Sequence, residues 1–92
     1  MSTKSIRMAL ANTLEDLTEE NFDRFRHRLL DYKEKPQVRR NQVEGKTRLQ
    51  MVDVLVSAFT EPGAVRVAVE LLRQIQCNEE ARRLATATSG GR

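Results

Sequence analysis

The chain has 92 residues, a formal net charge of +3 and 32% charged residues, which fits one small domain with a single core. It contains no run of about 18 apolar residues, so the sequence predicts no membrane-spanning helix, and its first residues lack the long apolar stretch of a secretory signal. One cysteine, Cys77, leaves no partner for an internal disulfide, and we expect a cytoplasmic protein.

The charges are unevenly distributed along the chain. Residues 1–23 carry two basic and five acidic residues, residues 24–48 carry nine and three, and residues 49–92 carry five of each. Twelve of the sixteen basic residues are Arg, whose planar guanidinium suits forked pairing with carboxylates or phosphates. A soluble helical surface would explain the total, but the separation into an acidic and a basic segment indicates that charge is part of the function.

The first half of the chain predicts two amphipathic helices. The first runs from about Lys4 to Asp16 on leucines spaced three and four residues apart. Thr18 is a good N-cap for the second, in which Phe22, Phe25 and Leu29 share one face. We expect this helix to end near Tyr32.

The rest of the chain predicts a loop and then further helices. Residues 33–42 indicate a loop, followed by one short helical turn around 41–45. Residues 46–59 indicate a helix. A break at 60–63 precedes another helix, with Pro62 in its first turn. Asn78 caps a last short helix. We expect the domain to span residues 1–88, and 89–92 to begin a linker or tail.

The expected fold is all-α, with five or six short helices around one core. Alternating valines at 52–56 and 65–69, separated by Pro-Gly, are also compatible with a β-hairpin. The helical interpretation is preferred because both patterns extend past about twelve residues. The predicted core consists of Leu10, Leu14, Leu17, Phe22, Phe25, Leu29, Leu49, Val52, Leu55, Phe59, Leu71, Leu72, Ile75 and Leu84.

The residues offer little for catalysis. His27 is the only histidine and lies among arginines, where a surface role is expected. We expect Cys77 to be a small buried residue. Glu19-Glu20 and Glu79-Glu80 are interpreted as acidic residues at the starts of helices. Metal-ligand spacing and glycine-rich phosphate loops are missing from the sequence, so we expect no enzyme activity, no metal and no cofactor.

The basic segment raises nucleic-acid binding as an alternative function. Arginines in residues 24–48 could contact phosphates, as in a small basic helical module. The aromatic content of 4% and the interleaved acidic residues argue against this alternative.

Three stretches of the chain resemble pyrin domains. The pattern Leu14-Glu15-x-Leu17-Thr18-x-Glu20-x-Phe22-x-x-Phe25-Arg26-x-Arg28-Leu29 resembles the signature that joins the first and second helices of that family. Residues 38–56 are similar to its third and fourth helices, and 64–84 to its fifth and sixth. The resemblance covers about residues 6–87 and is strongest to fish members of the family, in NOD-like receptors, the speck-forming inflammasome adaptor or caspases.

The resemblance implies a six-helix antiparallel death-fold bundle with a short third helix. Such domains act as homotypic adaptors in inflammasome signalling, and their acidic and basic faces pair into helical filaments. The expected partners are other pyrin domains, either further copies of this chain or those of an adaptor or receptor. A sibling death-fold domain, of the caspase-recruitment or death-effector type, would keep the architecture and change the partner.

Interaction residues carried over by position form two sets. The acidic set consists of Glu15, Glu20 and Asp53, and the basic set consists of Arg24, Arg28 and Arg40. The sequence departs from the family pattern at Asp23, where a base is common, at Arg39, which replaces a frequent proline, and at Thr47 and Gln50, which replace frequent acids. The acidic face is therefore thinner than usual, which leaves room for a preference for a different pyrin-domain partner over strong self-polymerisation.

Overall fold

The computed structural model describes residues 3–32 and 38–89, and every regular element within them is an α-helix. The helices are α1 (Thr3–Asp16), α2 (Glu19–Asp31), α3 (Arg40–Val43), α4 (Arg48–Gln74) and α5 (Asn78–Ser89). The all-α prediction is confirmed. The β-hairpin alternative is wrong, because both valine stretches lie within α4.

Helix α2 begins and ends where its sequence signals predict. Thr18 is the N-cap, and its hydroxyl accepts a hydrogen bond of 3.1 Å from the backbone N–H of Asn21. Glu19 and Glu20 occupy the first turn, where negative charge is favourable at the positive end of the helix dipole. The backbone N–H of Tyr32 donates to the carbonyl of Leu29 at 3.1 Å and closes the helix.

Helix α4 begins with a reciprocal cap. The Thr47 hydroxyl accepts from the backbone N–H of Gln50 at 3.2 Å, while the Gln50 side chain accepts from the backbone N–H of Thr47 at 2.9 Å. The short helix α3 precedes it and starts at Arg40, one residue earlier than expected. Part of the predicted loop, residues 33–37, and the end of the predicted tail, residues 90–92, lie outside the described residues.

The expected break in the second half of the chain is a single residue. Thr60 has non-helical dihedral angles, φ 63° and ψ 176°, and Pro62 follows two residues later in the first turn after the break. Two predicted helices are thereby joined end to end at a kink. The described residues consequently form five helices where the family resemblance implies six.

Helix α4 is the centre of the packing, since it contacts each of the other four helices, and α1 also packs against α5. Twelve of the fourteen predicted core residues are buried, and Phe25, Leu10, Leu55, Leu71 and Leu72 are fully inaccessible to solvent. Buried apolar residues that the sequence list omitted are Val38, Val43, Met51, Ala64, Val67, Ala68, Cys77 and Ala81. Among the described residues, no helix is long and apolar enough to cross a membrane.

The assignment of Leu49 to the core is wrong. Its side chain is 59% exposed, whereas Met51, Val52 and Leu55 are buried. A helix turns about 100° per residue, so Leu49 lies about 200° from Met51 and away from the buried stripe. Phe59 is only partly buried, and its ring makes an edge-to-face contact with Tyr32 at a centroid distance of 6.0 Å.

Candidate protein-interaction surfaces

Asp53 of the acidic set already has a partner within the chain. It lies on α4, and its Oδ1 atom is 2.6 Å from Nη1 of Arg7 on α1. The side chains of Arg7 and Asp53 are 46% and 70% exposed, so the pair lies at the protein surface. Lys46, which precedes α4, lines the same shallow cleft as Asp53. One carboxylate therefore shares this part of the surface with two cations.

Glu15 lies in the last turn of α1 beside two arginines. Nη1 of Arg48 donates a hydrogen bond of 3.1 Å to the backbone carbonyl of Glu15, which satisfies one of the open carbonyls at the helix end. The Arg48 guanidinium is 5.1 Å from the centroid of the Phe22 ring, and that of Arg26 is 5.5 Å from it. Phe22 thus has two cation–π contacts, and the one with Arg48 joins α2 to the start of α4.

The exposed Leu49 belongs to the same groove as Glu15. That groove is lined by Glu15, Glu19, Phe22, Asp23, Arg26, Thr47, Arg48 and Leu49. Because Leu49 stands one helical turn before Asp53, the two acidic residues lie on adjoining parts of one surface. We call Glu15 and Asp53 with their surroundings the α1–α4 surface.

Glu20 and Arg24 belong to opposite predicted sets, but their side chains contact each other. Oε2 of Glu20 is 3.1 Å from Nη2 of Arg24, four residues along α2, so the residues assigned to opposite sets form one exposed ion pair. The two charges are therefore paired within the chain, and the assignment of Glu20 to an acidic interaction face stays a prediction. The i, i+4 spacing of an acid followed by a base was the sequence signal for this contact.

Arg28 and Arg40, in contrast, carry no ion pair with any described residue. Arg28 lies in the last turn of α2 and lines a cleft with residues 74–76 at the carboxyl end of α4, where positive charge is favoured. Arg40 begins α3 and lines a second cleft against α2. His27 lines both clefts. We call Arg28, His27 and Arg40 the α2–α3 surface.

Asp23 moderates the charge of the α2–α3 surface. Its Oδ1 atom is 2.6 Å from Nη2 of Arg26, and its Oδ2 atom is 3.8 Å from Nδ1 of His27. The hydrogen bond from Arg26, with a smaller contribution from His27, holds the pKa of the Asp23 carboxyl below its ordinary value. Asp23, at the position where the family commonly has a base, is therefore held ionised by its own helix.

The residues considered for chemistry have structural surroundings. His27 is exposed, as expected for a surface residue. Cys77 is buried between α4 and α5, and burial raises the pKa of its thiol, which disfavours the nucleophilic thiolate. Within residues 3–32 and 38–89, no three His, Cys, Asp or Glu side chains are grouped to hold a metal ion.

Sequence reasoning missed Arg7, Arg26 and Arg48 as partners of the candidate residues. Arg26 stands three residues after Asp23, so its pairing follows from helical spacing. Arg7 is 46 residues from Asp53, and Arg48 is 33 residues from Glu15. No local pattern indicates these two contacts, because they depend on how α1 packs against α4.

Comparison with known proteins agrees with this architecture. The chain aligns with the solution structure of the pyrin domain of human Pyrin with a TM-score of 0.84 and 26% identity, over 90% of this chain and 96% of that one. It is also similar to zebrafish (Danio rerio) caspase a, with 40% identity over 89 residues, which are 96% of this chain and 23% of that protein. Zebrafish apoptosis-associated speck-like protein containing a CARD is 35% identical over 79 residues, or 85% of this chain and 39% of that protein.

Family membership follows from the sequence as well as from the fold. The chain spans less than half the length of either zebrafish relative, so the relatives contain further segments beyond the matched one. Residues 9–82 match the family profile described as the PAAD/DAPIN/Pyrin domain. The chain therefore belongs to the pyrin domain family of death-fold protein–protein interaction modules.

Proposed function

We propose that this domain recruits other pyrin domains by direct contact and assembles with them into filaments in cytoplasmic inflammasome signalling. Its family supports contact between pyrin domains as the mode of interaction. One relative is a caspase and the other is a speck-like protein associated with apoptosis, which supports a place in cell-death signalling.

The observation that carries the proposal is the α2–α3 surface. Arg28 and Arg40 come from different helices and line two clefts that share His27, so they form one patch, in which the Arg40 cleft also contains Asp23 and Glu44. Neither arginine is neutralised by a described residue. A patch of this kind fits a surface with carboxylates such as Glu15 and Asp53 on another pyrin domain, because guanidinium groups pair with carboxylates in a forked geometry.

Weak contacts suffice for such an assembly when they repeat. One exposed ion pair contributes about 0–1 kcal/mol and is screened by salt. When contact between two different surfaces does not close into a ring, each added copy presents a fresh surface and the assembly grows as an open filament. We therefore expect assembly to be strongly salt-dependent.

Charge reversal of the two unpaired arginines tests the proposal. Arg28→Glu and Arg40→Glu are expected to abolish binding to the matched segment of the zebrafish speck-like protein, measured by sedimentation at low and at moderate salt. The helical fold is expected to survive, as judged by circular dichroism. The matched control is Arg82→Glu, which makes the same charge change at an exposed position of α5 and should leave binding intact.

The same experiment separates this function from nucleic-acid binding. The proposed function predicts association between proteins alone. A domain that stays monomeric until duplex DNA is added would favour the basic nucleic-acid module instead. If both reversed variants bound like the wild type at moderate salt, the charged-surface mechanism would be wrong.

A further inference from the structure

Each residue of the acidic set has an arginine of its own chain beside it, although the arginine beside Glu15 contacts the backbone carbonyl and not the carboxylate. Asp53 pairs with Arg7, Glu20 pairs with Arg24, and Arg48 bonds the backbone carbonyl of Glu15 in the groove that Glu15 lines. The Arg7–Asp53 contact is the shortest of the three, at 2.6 Å, and the only one of them that joins side chains of two helices.

The packing of α1 against α4 holds Arg7 and Asp53 in register. Arg7 stands three residues before Leu10 on α1, and Asp53 stands two residues before Leu55 on α4. Leu10 and Leu55 are fully buried in the common core. Because both backbones are anchored so close to the pair, forming it requires less ordering than pairing two groups on free chain segments.

We propose that Arg7 is an intramolecular competitor for Asp53 that suppresses self-assembly of this domain. On the basis of the proposed function, Arg7 determines whether the domain prefers a second copy of itself or a different pyrin domain. The free domain presents an available basic surface at Arg28 and Arg40, whereas Asp53 on its acidic surface is already paired with Arg7. Its preferred partner is thus a different pyrin domain whose acidic surface lacks such an internal cation.

The competition follows from charge and geometry. An arginine from a second copy that approaches Asp53 must displace the Arg7 hydrogen bond or share the carboxylate with it. In either case it meets repulsion from Arg7 and from Lys46, which lines the same cleft. At the protein surface this repulsion is partly screened, so its effect is largest at low ionic strength.

Replacing Arg7 by Gln tests the competitor directly. The variant keeps a polar side chain but removes the cation, so Asp53 becomes available to Arg28 or Arg40 of another copy. We expect the concentration at which the domain self-associates at low salt to fall by about twofold to fivefold, the range for one exposed ion pair. Light scattering and sedimentation velocity over a concentration series measure this threshold.

Two variants serve as controls for Arg7→Gln. Arg82→Gln lowers the net charge by the same amount on α5, where the arginine has no ion pair with a described residue, and should leave the threshold at the wild-type value. The double variant Arg7→Gln with Asp53→Asn should lose the gain, because the released carboxylate is no longer present. Thermal unfolding of each variant verifies that the fold is retained.

The outcomes distinguish this inference from the proposed function. If Arg7→Gln self-associates no better than Arg82→Gln, or less well than the wild type, Arg7 is not a competitor and the inference fails. That result leaves the proposed function standing as long as the wild type binds a different pyrin domain and Arg40→Glu does not. If the wild type binds no pyrin domain, while Arg7→Gln alone promotes self-association, the competitor stands and recruitment of other pyrin domains fails.

Discussion

The α1–α4 surface and the α2–α3 surface differ in whether their charged side chains are already paired. On the first, Asp53 is bound by Arg7, and Glu15 lies beside Arg48. On the second, Arg28 and Arg40 have no ion-pair partner in the described part of the chain. The number of charges on a surface is therefore a poor measure of the charge available to a partner.

The charge segments of the sequence also do not coincide with the two surfaces. Residues 1–23 are net acidic, but Glu19, Glu20 and Asp23 lie on α2 with the arginines. Glu20 and Asp23 neutralise Arg24 and Arg26 within that helix. A boundary drawn between acidic and basic sequence therefore passes through the middle of one helix.

The most destabilising substitution removes the aromatic ring that anchors α2, and with it the α2–α3 surface, to the core. Phe25 is fully buried, and Phe25→Ala should lower the free energy of unfolding by about 3–5 kcal/mol, because it leaves a cavity under α2. Urea denaturation measures the loss. Leu49→Ala is the control on the α1–α4 surface and should stay within about 0.5 kcal/mol of the wild type. Equal losses for the two variants would contradict the assigned core.

Removing the N-caps of α2 and α4, the helices that carry parts of the two surfaces, is expected to cost less stability than removing Phe25. Thr18→Ala and Thr47→Ala should each cost about 1 kcal/mol, since each removes the acceptor for a backbone N–H of the first turn. We expect the larger loss at Thr47, whose cap is reciprocal with Gln50. Serine at either position should restore most of the stability. A Thr47→Ala variant as stable as the wild type would show that α4 does not depend on this cap.

The Arg7–Asp53 ion pair, which distinguishes the α1–α4 surface, is expected to contribute still less to stability. A double-mutant cycle with Arg7→Gln and Asp53→Asn should give a coupling free energy of about 0.2–1 kcal/mol at low salt. The value should decrease towards zero at about 1 M salt, where the screening length is about 3 Å. The reference cycle is Arg83 with Asp16, an exposed pair separated by 3.6 Å, for which we expect a weaker coupling. Couplings of equal size would mean that the 2.6 Å contact has no special strength in solution.

The smallest effect lies on the α2–α3 surface and is a pH dependence. The folded-state pKa of Asp23 lies below the ordinary value of 3.8. Its stabilising contribution is consequently present above the unfolded-state pKa and is lost as the pH falls through the folded-state pKa. Carboxyl NMR titration should find this lowered midpoint, and Arg26→Gln should raise it. A midpoint unchanged by Arg26→Gln would exclude the hydrogen bond as its main cause.

Features that depend on near neighbours in the chain could be predicted from the amino-acid sequence. The Thr18 cap, the buried stripe of Phe22, Phe25 and Leu29, and the break before Pro62 all follow from the preferences of a few adjacent residues. Helical periodicity also predicted most of the core. Leu49 was misassigned because it lies about 200° around the helix from the fully buried Met51, and residue spacing alone does not show which side of α4 faces the core.

Which charges remain available to a partner depends on how the helices pack. The Arg7–Asp53 pair and the contact of Arg48 with Glu15 join residues far apart in sequence, and both form because α1 and α4 bury their apolar faces together. Burial drives this packing without regard to the charges at its edges. The surface ion pairs, which contribute little energy individually, are placed wherever the core brings them. The composition of the chain thus predicted a charged interaction domain, while the packing of its helices determined which side of it is open to a partner.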